Sequence, residues 1–383
     1  MDVMVVAGEA SGDQHAADVV AALKAQRHGL SFFGMGGPKL AAQGVELVHG
    51  AHEISVMGFV EVLPKLPRII RVMGDLTAAA RARRPACAIL VDVPDFNLPL
   101  ARRLKRLGIP IVWYIAPMVW AWRTGRVKAL AEVVDRLLCI LPFEEAFLRE
   151  RGVDATYVGS PVVEQVPPLG PPERFRSALG LLVQRPVLAV LPGSRRSELA
   201  RLLPVLVEVA ARVVAARPGI QVVVPVAPGL ERALVAAPFA TAGVPVQLID
   251  GRAPEVVAAS EVAVVASGTA TLEAGLMARP LVAVYRMSPL SYGIGRALVK
   301  IPYFCLVNLL AGERVVPELL QGDATPERII GELEPLWADG PARRKCLEGL
   351  ARVRTVLGPK GAAARAAGAV GSVLDRAIPR SPA

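Results

Sequence analysis

At 383 residues, with 53% hydrophobic and 20% charged positions, the chain is longer than one ordinary domain and too apolar for a disordered polymer. Its formal net charge of +10 favours anionic partners without choosing among nucleotide, phosphosugar, phospholipid and nucleic acid. No apolar stretch reaches the ~18 residues of a spanning helix, and no signal-peptide pattern opens the chain, so a cytosolic protein is expected.

The first apolar run, 3–7, leads into Gly8-Glu-Ala-Ser-Gly-Asp13, followed by a helical pattern over 15–23. A glycine-bearing turn after a first strand usually cradles phosphate, but Glu9 and Asp13 repel a diphosphate and no cation offsets them. Gly8 and Gly12 permit close approach, and Glu9, Ser11 and Asp13 suit hydroxyls. The loop is therefore read as an acceptor-side wall, the alternative being that Ser11 or Asp13 caps the first helix.

Residues 55–76 cluster apolar side chains with Lys65, Arg68 and Arg71, a composition that suits an anionic bilayer surface and equally a core-facing helix. Arg81, Arg83 and Arg84, and later Arg102, Arg103, Lys105 and Arg106, fall where helices should end and complement the macrodipole. The strand 87–91 runs into Asp92, and Pro94 keeps Val93 out of helix. A carboxylate just past a strand is placed to take a proton from an attacking hydroxyl. Asp95 and Asn97 serve either the same cleft or the cap of the next helix. After the strand 110–115, Trp120 and Trp122 either face a sugar or acyl chain or pack the core.

Following the strand 136–141, the proline-rich stretch 160–172 marks a domain boundary. Runs at 187–191, 221–225, 245–249, 262–266 and 281–285 then alternate with helical segments, and the chain is helical from about 325 to 377. The pattern predicts two α/β domains with parallel sheets, whose chemistry lies in loops at the carboxyl ends of the strands. In Leu191-Pro-Gly-Ser-Arg-Arg-Ser-Glu198, Ser194 can cap a helix while Arg195 and free backbone N–H groups meet a diphosphate; a plain capped helix explains the same residues. In the segment 266–275, Ser267, Gly268, Thr269 and Ala270 let backbone approach a ligand, and with Thr269 as cap, Glu273 is free to hold ribose hydroxyls. Cys87, Cys139, Cys305 and Cys346 lie far apart, and no metal-ligand cluster or Asp-x-Asp triplet occurs, so no metal and no cofactor are expected.

The segments GEASGD, VDVPDFN, PMVWAW, LPFE, LPGSRxxE, ASGTATLEA and VPELLQ, in this order and over nearly the whole chain, resemble the lipid-A-disaccharide synthase family. The resemblance implies a GT-B glycosyltransferase: two Rossmann-like, doubly wound parallel-sheet domains facing across a cleft. Acceptor binding falls on 1–165, UDP-sugar binding on 173–345, and helices over 346–383 pack back toward the first domain. The implied reaction is an inverting, metal-independent transfer of 2,3-diacylglucosamine from UDP to the 6-hydroxyl of 2,3-diacylglucosamine 1-phosphate (lipid X), giving the β-1,6-linked precursor of lipid A. Carried over by position, Asp92 is the base, Ser194, Arg195, Ser267, Gly268, Thr269, Ala270 and Glu273 hold UDP, and Asn308 touches the diphosphate or sugar. Gly8, Glu9, Ser11, Gly12, Asp95 and Trp120 lie on the acceptor side.

Two positions depart from the family pattern: Ser160 stands where the family has histidine, and Cys305-Leu306-Val307 precede Asn308 where the family has Ser-Leu-Pro. The expected partners are the two lipid substrates, a second copy of the chain and the anionic cytoplasmic face of the inner membrane, with no nucleic acid. Two rivals are another GT-B enzyme using UDP-N-acetylglucosamine, a transferase or 2-epimerase, and a non-catalytic UDP sensor at the membrane surface. The apolar, basic segment 55–76 favours a lipid substrate, and a sensor leaves Asp92 without a task.

Overall fold

The computed structural model describes residues 1–54, 66–121, 124–288, 292–293 and 301–377. The chain forms two compact units, Met1–Pro161 with Lys360–Ala383, and Val162–Pro359.

In the first unit seven strands form a parallel sheet in the order β3-β2-β1-β4-β5-β6-β7. They are β1 Asp2–Ala7, β2 Ser31–Gly36, β3 Glu46–Gly50, β4 Cys87–Val91, β5 Ile111–Tyr114, β6 Arg136–Cys139 and β7 Ala155–Tyr157. Along β1, Met4 and Val6 enter one core and Val3, Val5 and Ala7 the other. Burial on both faces explains why the strand reads as an unbroken apolar run. The chain runs outward from β1 through β2 to β3 and then returns to β4 on the other side of β1, where Ala7 pairs with Val91. The segments after β1 and β4 therefore emerge side by side at the carboxyl edge, where open α/β sheets bind ligands.

The second unit repeats the plan with six strands in the order β10-β9-β8-β11-β12-β13. These are β8 Val187–Leu191, β9 Gln221–Val226, β10 Val246–Asp250, β11 Val262–Ala266, β12 Leu281–Tyr285 and β13 Glu318–Leu320. The reversal falls between β8 and β11, with Leu191 opposite Val265.

Four strands, β2, β3, β7 and β13, were not among the sequence expectations. β2 carries two glycines, β3 is an edge strand of half-buried residues, and β7 and β13 are three residues long. None offers a sustained apolar run. The C-terminal helices also divide differently from the expected 346–383. Helix Pro341–Leu357 stays in the second unit, because Cys346, Leu350, Val353 and Leu357 complete that core. Helix Ala362–Ala377 alone rejoins the first unit, laying Ala366, Ala367, Val370, Val373 and Leu374 into the core beneath helix Ala10–Gln26. Arg27 fixes it with a two-pronged bond to Asp375 at 2.7 and 2.6 Å.

Gly34 has φ +149, and a Cβ there would overlap the Val5 carbonyl of the neighbouring strand. Gly34→Ala should destabilise the protein by more than about 3 kcal/mol. Gly29→Ala, at φ +75 in open space, should cost about 1 kcal/mol. Denaturant midpoints of the two variants check the difference, and equal losses would show that β2 tolerates the added carbon.

Candidate functional site

At the end of β4 two successive residues, Asp92 at φ +50 and Val93 at φ +41, adopt left-handed conformations. A β-branched residue there is strained, so something must hold it. Asn97, fully buried inside helix Pro94–Arg106, donates from Nδ2 to the carbonyls of Val91 at 3.1 Å and Asp92 at 2.7 Å. It is not the helix cap that the sequence allowed: Val93 occupies that position. Burial raises the Asp92 carboxyl above its ordinary range, the nearby Glu9 carboxylate raises it further, and the Val93 N–H opposes both. Asp92 and Glu9 are thus brought together as the register of β1 and β4 requires.

Most of GEASGD is the first turn of a helix, because helix Ala10–Gln26 begins at Ala10 with Glu9 as its N-cap residue. Glu9 and Ser11 are exposed, whereas Gly8 and Gly12 are buried. A Cβ on Gly8 would sit 2.8 Å from Ile54 Cδ1 and 3.1 Å from Val93 Cγ2, so this glycine admits packing against the Asp92 segment. Asp13 does not cap the first helix. Its buried carboxylate accepts from the N–H groups of Gly37 (2.7 Å), Lys39 (2.9 Å) and Leu40 (3.2 Å), closing the start of helix Pro38–Ala42.

Trp120 lies in the turn after β5, half-buried, with its ring edge-on to Phe143 at 4.9 Å. Its Nε1 donates to Glu144 Oε1 at 2.9 Å, while Leu141 N donates to Oε2 at 3.1 Å. Burial pushes the Glu144 carboxyl up to about 7 against these donors. Trp122 lies outside the described residues, as do 55–65 of the apolar, basic segment. The rest of that segment belongs to helix Leu66–Arg83, which exposes Leu66 and Ile70 and pairs Arg68 with Glu53 at 3.2 Å. Asp95 is exposed and ion-paired with Arg126.

In the second unit, the turn after β8 differs from expectation. The N-cap of helix Arg196–Ala216 is Arg195, and Glu198 fills its N-terminus. Glu198 Oε2 accepts from Ser194 N at 2.9 Å and Arg195 N at 3.2 Å, so these N–H groups are not free for a diphosphate. The Arg195 guanidinium is mostly exposed, 3.4 Å from Glu198 Oε1.

The turn after β11 is open instead. Gly268, rather than Thr269, is the N-cap of helix Thr269–Leu276, and no side chain caps it. The Thr271 hydroxyl donates back to the Gly268 carbonyl at 2.7 Å, leaving the first-turn N–H groups of Thr269 and Ala270 to an outside acceptor. Ser267 N is spent on the Val284 carbonyl at 2.8 Å. Among the described residues the Glu273 carboxylate has no hydrogen-bond partner, and burial raises it above its ordinary range.

The Asn308 amide, expected at the diphosphate or sugar, is engaged within the protein. It is fully buried in helix Leu306–Ala311, donates to Val316 O (2.8 Å) and Glu318 Oε1 (2.6 Å), and accepts from Val315 N (2.8 Å) and Val316 N (2.9 Å). All four of its hydrogen-bonding positions are used inside the protein. Beyond β12 and β13, Arg201, Arg286 and Gln321 line a cavity of about 550 Å³ to which the sequence reading gave no role.

Among the described residues no three His, Cys, Asp or Glu side chains converge, and no helix is long and apolar enough to cross a membrane. A family model described as lipid-A-disaccharide synthetase matches residues 3–355. The lipid-A-disaccharide synthase of Myxococcus xanthus is 59% identical over 372 residues, 97% of both chains. That of Anaeromyxobacter sp. (strain K) is 54% identical over 374 residues, again 97% of both. Among solved structures, MurG of Acinetobacter baumannii superimposes with a TM-score of 0.60 at 13% identity, covering 98% of this chain and 99% of MurG. UDP-GlcNAc 2-epimerase from Neisseria meningitidis gives 0.61 at 12%, covering 98% and 100%. The calicheamicin glycosyltransferase CalG4 gives 0.59 at 18%, covering 99% of each chain. At these identities the structures share the fold alone.

Glu144 generates a pH test. The folded chain keeps its proton up to about 7, whereas the unfolded chain releases it near 4.5. Stability from this group is therefore full below 4.5 and falls as pH rises to 7, by ~3 kcal/mol in all. Glu144→Gln should flatten that slope while lowering absolute stability, because its amide nitrogen meets an N–H donor. Unfolding curves between about pH 5 and 7.5 read both effects, and parallel slopes for variant and wild type would refute the buried acid.

Proposed function

The chain belongs to the lipid-A-disaccharide synthetase family, GT-B glycosyltransferases of lipid A biosynthesis, and from that premise we propose that it transfers 2,3-diacylglucosamine from UDP to the 6-hydroxyl of lipid X. The observation that carries the chemistry is Asp92, held in strained backbone at the carboxyl end of β4 with its basicity raised by burial and by Glu9. A carboxylate above its ordinary range is a stronger acceptor for the proton of an attacking hydroxyl.

In the proposed step the acceptor oxygen bonds to the anomeric carbon as the bond to the UDP oxygen breaks, inverting the centre, and Asp92 takes the hydroxyl proton. Charge gathers on the departing diphosphate, for which the uncapped helix start at Thr269 and Ala270 and the Arg195 side chain supply donors. The unpartnered Glu273 carboxylate suits the ribose hydroxyls. Glu9 and Ser11 suit sugar hydroxyls on the acceptor.

The rival use of UDP-N-acetylglucosamine draws on the epimerase superposition, which carries fold alone, whereas relatives above 50% identity share the synthase name. We place the enzyme on the cytoplasmic face of the inner membrane, with exposed Leu66 and Ile70 beside Arg68 and Arg71 as its contact.

UDP release from UDP-2,3-diacylglucosamine should require lipid X. Asp92→Asn should lower it about a thousandfold or more with UDP affinity retained, and the acid limb of the wild-type kcat/KM profile should lie above the ordinary carboxylate range. Transfer by the Asn variant near the wild-type rate would remove Asp92 as base, and acceptor-independent consumption of UDP-N-acetylglucosamine would favour the epimerase. Glu273→Ala should weaken UDP about tenfold and uridine as much; unchanged nucleotide affinity would clear Glu273 of the ribose role. Sedimentation with anionic vesicles should fall as salt rises, and binding indifferent to both salt and lipid charge would refute the basic contact.

A further inference from the structure

Within the second unit, the cavity of about 550 Å³ is lined by Arg201, Arg286, Met287, Tyr292, Gln321 and Gly322. Arg201 comes from helix Arg196–Ala216, Arg286 and Met287 follow β12 directly, and Gln321 and Gly322 follow β13. β12 and β13 are parallel neighbours, with Tyr285 opposite Leu320, so the two arms of the cavity leave the same edge of the sheet.

Arg286 donates from Nη2 to the Ala324 carbonyl at 2.8 Å, and its Nε is buried without an acceptor. Arg201 donates from Nη1 to Ser197 O at 2.8 Å. Among the described residues neither guanidinium pairs with a carboxylate, although many other arginines of the chain do. A guanidinium cannot shed its proton, so both arginines keep a positive charge at the cavity that no carboxylate of the described residues answers.

The segment carrying Arg286 is held firmly. Gln321, at φ +52, accepts from Met287 N at 3.0 Å and returns its Nε2 to Met287 O at 3.3 Å. Gly322 leaves that part of the lining without a side chain.

The geometry points to a phosphate subsite in this cavity, with Arg201 and Arg286 as its cations and Met287 and Tyr292 against the body of the phosphate ester. It borders the helix start after β11, because β11 and β12 are parallel neighbours and Ser267 N donates to Val284 O, two residues before Arg286. The transferase reading enters only in naming the source of the phosphate, which is the diphosphate of the donor or the phosphomonoester of the acceptor.

Calorimetric binding of UDP, uridine and inorganic pyrophosphate to the full chain needs no turnover. Arg286→Gln and Arg201→Gln should each weaken pyrophosphate about tenfold or more. A matching loss for UDP with uridine unchanged assigns the subsite to the donor. Unchanged UDP affinity with a tenfold higher KM for lipid X, and none for its dephosphorylated form, assigns it to the acceptor. Arg286→Lys, which keeps the charge, should lose less than Arg286→Gln in either case. Arg201 is exposed, so its variant tests the subsite even where Arg286→Gln lowers the thermal midpoint. Wild-type pyrophosphate affinity and wild-type KM for both substrates in Arg201→Gln would overturn the inference while leaving the transferase intact. Loss of pyrophosphate binding in an enzyme that transfers no sugar would keep the subsite and discard the proposed reaction.

Discussion

Parallel pairing in register between β1 and β4, and again between β8 and β11, is the constraint from which the candidate chemistry follows. Because Ala7 lies opposite Val91, the segments carrying Glu9 and Asp92 leave the sheet together. Two carboxylates that would separate in solution are held near one another, and burial first and this repulsion second raise Asp92. The pairing of Leu191 with Val265 likewise sends the turn that carries Arg195 and the start of helix Thr269–Leu276 from the same edge of the second sheet. In each unit, strand order selects the residues that meet, and local backbone then sets how they are presented.

The acids divide by whether the protein has already used them. Asp13 and Glu198 each satisfy backbone N–H groups at a helix start, and Glu144 takes donors from Trp120 and Leu141. Those carboxylates stabilise structure and have little left for a ligand. Glu273 has no hydrogen-bond partner among the described residues although burial raises it, and Asp92 keeps only the Val93 N–H against burial and Glu9. An acid held at a desolvation cost without matching donors is the better candidate for work on a substrate.

The central strands were legible in the sequence because both faces are buried and the runs Val3–Ala7 and Val262–Ala266 are continuously apolar. Edge and short strands such as β3 and β13 lack that signal, and their pairing depends on neighbours already in place. Asp92, one residue past its strand, could be singled out from Pro94 and strand position alone. The internal partners of Asp13 and Asn308 were not legible because they are distant in sequence: Asp13 bonds residues 24 to 27 positions away, and Asn308 bonds residues up to ten positions ahead. Glu198 is different, for the glutamate three residues after Arg195 is a capping-box spacing that reading Ser194 as the cap concealed.

The two helix starts of the second unit show why composition around a turn does not by itself locate an anion site. Both follow a central strand and both contain glycine and serine, and the first adds two arginines. Yet Glu198 neutralises the first from within its own helix, whereas the second keeps Thr269 and Ala270 uncapped. The arginine-rich turn is therefore the less available to a diphosphate through its backbone, and its contribution reduces to the Arg195 side chain. A helix dipole attracts phosphate only where no internal carboxylate has answered it first. By that criterion the start of helix Thr269–Leu276 and the Arg201 and Arg286 guanidinium groups are open to an anion among the described residues of this unit, while the first unit presents Asp92 and Glu9.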